Sequence, residues 1–210
     1  LPSHWPPQRP LQPLNKPPEE EKITTTEELP TPQIQREALE DWYGRLHNDG
    51  SFPQQNGKGP IEEPLACLRM LARHFDLPFR RDVLIRILND QLERSGQDEL
   101  PWQAVAAICD LLGLRTTALQ PDNADLLTRL PFPAFKLING HPIVLWQARQ
   151  QQLLIGDPVA GQRWIDATEL LEQSTDEQQP VLCLERSAST PKARFGLSWF
   201  MPAIQKHRNA

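Results

Sequence analysis

Cysteine, tyrosine and methionine are scarce in this chain of 210 residues: three, one and two copies. Three cysteines, with no C-x-x-C pair and no Cys/His couple at ligand spacing, make neither a disulfide framework nor a metal site. A reducing compartment fits that usage. Basic residues are also short, 22 Lys and Arg against 27 Asp and Glu, for a net charge of −5. That balance argues against nucleic acid, which needs a clustered basic face. No apolar run approaches the roughly 18 residues of a membrane span. No basic-then-apolar signal opens the chain, so a soluble, cytosolic chain is expected. No phosphate-cradling glycine loop occurs, so no cofactor is expected here.

Proline, by contrast, is abundant at 22 copies. Residues 1–34 concentrate it, from Pro6-Pro7 through Pro17-Pro18-Glu19-Glu20-Glu21 to Pro30-Thr31-Pro32. Such a stretch buries too little apolar surface to offset chain entropy and reads as a disordered, extended linker. Ile34, Ala38, Leu39, Trp42 and Leu46 then recur at helical spacing, an accessory helix anchored by Trp42 and Tyr43 and stopped at Asn48-Asp49-Gly50.

Three stronger helices follow. Glu63 to Phe75 carries Leu65, Leu68, Leu71 and Phe75 as one stripe, widened by Ala66, Cys67 and Met70. Pro64 suits its first turn, and Glu62 and Glu63 suit the positive end of its dipole. Arg81 to Arg94 ends at Gly96, and Pro101 to Leu112 ends at Gly113.

The period then changes from helix to strand. Strands are predicted over 114–119, 132–138, 142–148, 151–156, 163–165 and 180–185, with short helical turns over 123–130 and 166–172. Asn139-Gly140 and Arg149-Gln150 sit where two tight hairpins would turn, so three central strands form an antiparallel meander. Helices first and strands second give an α+β domain over 35–186, its helices on one face of an antiparallel sheet.

Two polar residues in the strand region suggest chemistry. His141 opens a buried strand, and Asp157 closes the next one in an Asp-Pro turn. Such a pair could stand side by side at one sheet end, as the orienting half of a Cys-His-Asp site. Each also has a plain structural reading: a strand-end His stacked on an aromatic such as Trp146, and an Asp that makes a turn. Cys67 needs only a base and a helix N-terminus to be an alternative nucleophile. Its place on the broad apolar face favours a buried core thiol. Cys109 and Cys183 lie in apolar runs and read as core.

Residues 187–210 reverse the acidic trend. Lys192, Arg194, Lys206 and Arg208 flank Phe195-Gly196-Leu197-Ser198-Trp199-Phe200-Met201-Pro202-Ala203-Ile204. The segment is too short to span a bilayer and has interfacial character, with Trp199, Phe200, Lys206 and Arg208 nearest a membrane. The alternative is that it packs on its own domain.

Leu65-Ala66-Cys67-Leu68-Arg69-Met70-Leu71-Ala72-Arg73-His74-Phe75 resembles the nucleophile helix of the bacteriocin-processing cysteine peptidase domains found at the N-terminus of some ABC exporters. Leu111-Leu112-Gly113-Leu114, Arg129-Leu130-Pro131, Gly140-His141 and Asp157-Pro158-x-x-Gly161 follow in matching order. The terminal segment is similar to the stretch before the first membrane helix of type I secretion transporters such as the hemolysin exporter. The resemblance covers about residues 57–208 and implies a papain-like fold.

Active members of that family cut a leader peptide after a double glycine with a Cys, a His, an Asp and an oxyanion-supporting Gln. The resemblance places His141 and Asp157 at the His and Asp positions. It places Glu63 where the Cys belongs and Pro64 where a Gly belongs. The Gln position falls near Gly57, with Gln54 and Gln55 close but out of register. A carboxylate cannot replace a thiolate in acyl transfer, so the resemblance implies a degenerate site that binds unfolded secreted protein without cutting it. Its partners would be that substrate, the membrane and nucleotide-binding domains of the transporter, and the membrane surface, at the cytoplasmic face of a bacterial inner membrane. ATP and Mg would belong to those other domains. The competing readings are an active cysteine peptidase using Cys67 with His141 and Asp157, and a structural module that only positions a transporter.

Overall fold

The computed structural model describes residues 39–45, 47, 51–96, 99–173 and 179–191. The expected linker and the basic, aromatic tail, including Trp199, Phe200, Lys206 and Arg208, lie outside the described residues. Of the expected accessory helix, residues 39–43 are helical. Trp42 is about half exposed at 51%, so it does not anchor that turn as expected.

Helix α1, Glu62–His74, is the hub. Its leucine stripe, Cys67, Met70 and Ala72 are buried. It ends in a Schellman closure: Leu77 N donates to Ala72 O at 2.8 Å, and Asp76 takes the left-handed conformation at φ 54° that glycine usually fills. Helix α2, Arg81–Ser95, stops at left-handed Gly96, and α3, Trp102–Leu111, starts immediately after Pro101.

Strands β1 (Leu114–Leu119), β2 (Ala134–Ile138), β3 (His141–Arg149), β4 (Gln152–Asp157), β5 (Gly161–Asp166) and β6 (Val181–Arg186) form one antiparallel sheet, ordered β1-β6-β2-β3-β4-β5. The meander β2-β3-β4 forms as expected; its first turn falls at Asn139-Gly140, and its second at Gln150-Gln151, one residue later than expected, because Arg149 still pairs with Gln152. Asn139 and Gly140 both have positive φ, 49° and 80°, the two-residue hairpin geometry whose twist matches the strands it joins. β6 inserts between β1 and β2, a long-range pairing that no local pattern announces.

Helices cover both sheet faces rather than one. Helices α1–α3 bury Leu68, Leu71 and Ile108 against Val144, Trp146 and Leu184. On the reverse face, short helices α4 (Ala124–Thr128) and α5 (Ala167–Gln173) bury Leu127 and Leu170 against Ile143, Leu145 and Ile155. β3 is therefore apolar on both faces, which explains its unbroken hydrophobic run. The register slips by one residue between Leu145 and Gln147. Trp146, at that bulge, lies over Gly156, where an added Cβ would come within 2.6 Å of the indole Nε1.

Candidate functional site

The site forms where the N-terminus of α1 meets the β2–β3 hairpin. Ile61, the residue ahead of α1, makes no side-chain cap bond. Glu63 caps the helix from within the first turn instead. Its Oε1 accepts from Gly59 N at 3.0 Å while its own N–H donates to Gly59 O at 3.1 Å. This reciprocal pair satisfies two backbone groups that a helix start otherwise leaves open. Gly59 adopts φ +103°, which an L side chain rarely takes.

The second Glu63 oxygen is spent on histidine. Oε2 lies 2.9 Å from His141 Nδ1. A carboxylate oxygen only accepts, so Nδ1–H is the donor in this contact. Glu63 is buried while the His141 side chain is 71% exposed, so the carboxylate is the fixed member of the pair.

Asp157 is committed elsewhere. Its Oδ1 accepts from Val159 N at 2.8 Å and Ala160 N at 2.9 Å, and its Oδ2 lies 3.4 Å from Arg163 Nη2. His141 and Asp157 do share a sheet end, as expected, but make no hydrogen bond with each other. The physical reason is competition. The β4–β5 turn offers Asp157 two backbone donors within three residues, and Glu63 offers His141 a buried acceptor. The pairing of Val144 with Gly156 also offsets the two residues by two positions along the strands, about 7 Å of rise.

Cys67 sits one turn beyond Glu63 and is fully buried, its Sγ–H donating to Pro142 O at 3.4 Å. Burial pushes its pKa well above the usual thiol value, and the Asp157 and Glu63 carboxylates add to the shift. Cys109 is pushed up to about 12 and Cys183 to about 11, both chiefly by burial. All three thiols are free and buried.

The positions expected near an oxyanion are also occupied. At Gly57 an added Cβ would stand 2.2 Å from Glu62 O, so a glutamine cannot fit there without moving backbone. Gly57 N instead donates to Pro158 O at 3.0 Å. Gln54 does reach the region, but its Nε2 donates to Asp157 O at 2.8 Å. A cleft of about 440 Å³ opens beside Glu63 and His141, walled by Pro64, Leu100, Leu137 and Glu99. Cys67, Asp157 and Gln54 do not line it. Among the described residues no group of three or more His, Cys, Asp or Glu side chains is placed to hold a metal.

Sequence reasoning missed two features. One is Glu99, packed so closely under Gly140 that a Cβ there would meet its Cδ at 2.3 Å. The other is an aromatic cluster behind the site. Trp146 stacks on Phe52 (5.1 Å, 16°) and meets His74 at 5.3 Å, rather than stacking on His141. His74 is buried, and its Nε2 lies 2.7 Å from Tyr43 O. Burial is the main cause that lowers its pKa to about 4. Neither feature carries a local sequence signal.

A helical layer beside an antiparallel sheet, with a helix N-terminus set against a strand-end histidine, defines a papain-like α+β domain. Residues 60–179, more than half of the chain, match the Peptidase C39 family. The chain belongs to that family. Among solved structures it is similar to a double glycine motif protease from an AMS/PCAT transporter in complex with the leader peptide. That match has 17% identity and a TM-score of 0.51, and covers 65% of this chain and 93% of the other. It is also similar to the peptidase domain of Streptococcus ComA, a bi-functional ABC transporter involved in a quorum sensing pathway. There the identity is 15% and the TM-score 0.50, over 65% of this chain and all of the other. At these identities the likeness establishes the fold. A comparison with curated protein sequences finds no match.

Proposed function

We propose that this chain is a non-cutting peptidase-like domain of a type I secretion ABC exporter, and that it recruits unfolded substrate to the transporter. The observation that carries the reading is the hydrogen bond between buried Glu63 and exposed His141 at the helix start. A carboxylate held there by Gly59 and His141 is a cap and a tether. It forms no stable acyl intermediate with a peptide in water, as a thiolate does. Three further facts support the loss of chemistry. Cys67 is sealed from the cleft with its thiol form favoured, Asp157 caps a turn, and Gln54 is engaged by Asp157 O. The structural neighbours, a transporter protease bound to its leader peptide and a transporter peptidase domain, support the assignment to an exporter.

In this reading the domain works at the cytoplasmic face of a bacterial inner membrane. Trp199, Phe200, Lys206 and Arg208 lead to the membrane, and ATP and Mg act only in other domains of the transporter. Extended chains suit such a carrier, because they offer backbone hydrogen bonds and alternating side chains to a groove. An affinity near micromolar, about −8 kcal/mol, allows release. The test is twofold. Double-glycine leader peptides should remain intact by mass spectrometry after prolonged incubation with the reduced chain. An unfolded export substrate should bind and its folded form should not. Cleavage abolished by thiol alkylation would instead establish a cysteine peptidase working through Cys67. Equal affinity for folded and unfolded substrate would overturn recruitment. Flotation with anionic vesicles tests the tail, and loss of binding on deleting residues 195–208 is expected.

A further inference from the structure

A second and larger cleft, of about 630 Å³, lies away from the Glu63–His141 site. It is bounded by the segment before α1, by the outer face of the last turns of α1, and by the loop into α2. Arg73 is ten residues along α1 from Glu63, about 15 Å of helix rise. Among the described residues that line it, the cleft collects Arg45, Arg69, Arg73 and Arg81 around one carboxylate, Asp76, in a chain whose net charge is −5.

These four arginines differ in what holds them. Arg45 pairs with Asp76 at 3.5 Å and Arg81 with Glu62 at 2.6 Å. Arg69 and Arg73 are exposed and make no ion pair among the described residues. They stand at i and i+4 on one helix face, so their Cβ atoms are about 6 Å apart. In an extended peptide, residues i and i+2 point the same way and lie about 7 Å apart. Two acidic residues separated by one residue therefore match the spacing of the two free guanidinium forks. Each fork can take a carboxylate in a bidentate pair. Leu77 and Phe79 also line the cleft and give apolar side chains of such a peptide something to pack on. A single inorganic anion uses neither the second fork nor that apolar wall.

We infer that the Arg69–Arg73 cleft is a docking site for an extended acidic peptide segment with an Asp/Glu-x-Asp/Glu pattern. The inference rests on the recruitment reading only in assigning that segment to the exported substrate. Binding at this cleft would hold the chain by its charged stretches and leave the Glu63–His141 cleft free.

The probe is a fluorescein-labelled peptide of about ten residues with alternating Asp and Leu, against its Asn counterpart, measured by anisotropy with the full chain. At about 50 mM salt the Asp peptide should bind near micromolar, weakening about tenfold or more at about 500 mM, where screening shortens the reach of charge. The Asn peptide should bind about tenfold more weakly or worse, as should the variant Arg69→Glu/Arg73→Glu. A charge control, Arg115→Glu/Arg129→Glu, should bind as the parent does. Arg69→Ala/Arg73→Ala should fall between, and unchanged circular dichroism certifies the fold of each variant.

Equal affinity for the Asp and Asn peptides, or an unaffected Arg69→Glu/Arg73→Glu variant, would overturn the inference. So would displacement of the peptide by inorganic phosphate at comparable micromolar concentration, which would mark a small-anion site. If unfolded substrate binds the parent and this variant equally, recruitment stands and the cleft assignment falls. If unfolded substrate does not bind while the Asp peptide does, the cleft stands and recruitment falls.

Discussion

Glu63 Oε2 and His141 Nδ1 meet at 2.9 Å across 78 residues of sequence, joining the first turn of α1 to the first residue of β3. One glutamate thereby caps a helix, closes on a glycine turn and fixes a histidine. The bond ties the start of α1 to the start of β3.

Glu63→Ala should lower stability by about 1–3 kcal/mol, because it leaves Gly59 N–H without its acceptor and His141 without its tether. Thermal melts should show a lower Tm. Glu63→Gln should recover most of the loss, since its amide oxygen still accepts one of the two bonds.

Glu63→Cys should not create a peptidase. The thiol would arrive without an oxyanion donor and without an Asp behind His141, since Gln54 and Asp157 are bonded elsewhere. Turnover of a double-glycine leader by this variant, sensitive to alkylation, would show that those groups reorganise easily.

Native thiols should be slow toward a disulfide reagent. Cys67, Cys109 and Cys183 are buried, and all three have raised pKa values. Their reaction should be at least about a hundredfold slower than in denaturant, because the thiolate is the reactive form. A single fast-reacting equivalent in the folded chain would contradict the burial of Cys67.

Acid should weaken the fold through His74. Its pKa falls from 6.5 to about 4 on folding, first through burial, then through the nearby His47, Arg186 and Arg45 charges, against the opposing bond to Tyr43 O. A depressed base binds fewer protons folded than unfolded. Its contribution is therefore complete above pH 6.5 and is lost progressively as pH falls toward 4, by about 3 kcal/mol. Denaturant titrations across that window should show the slope, and His74→Phe should flatten it.

Gly156→Ala should cost about 1–3 kcal/mol, because its Cβ would press on the Trp146 indole at 2.6 Å. Altered tryptophan fluorescence together with a reduced denaturant midpoint is the expected signature.

The sequence by itself determined the elements and their order. Helix α1 was readable from its leucine stripe and acidic first turn, and the β2–β3 hairpin from Asn139-Gly140, because caps, turns and periodicity are local properties of the chain. The identity of residue 63 is equally local: Glu63 stands three residues before Ala66-Cys67-Leu68, whatever the fold around it. Only the tertiary structure decided what Glu63, His141 and Asp157 do. The strand pattern puts His141 and Asp157 at one sheet end, yet which acceptor His141 takes depends on distances between α1 and β3. Asp157 is drawn off by backbone donors of a turn whose geometry the Asp-Pro motif alone leaves open. The same limit hid the coverage of the second sheet face by α4 and α5, the insertion of β6, and the gathering of Arg45, Arg69, Arg73 and Arg81 into one cleft. Each depends on contacts between residues far apart in the chain, and such contacts are set by packing and hydrogen-bond competition in three dimensions.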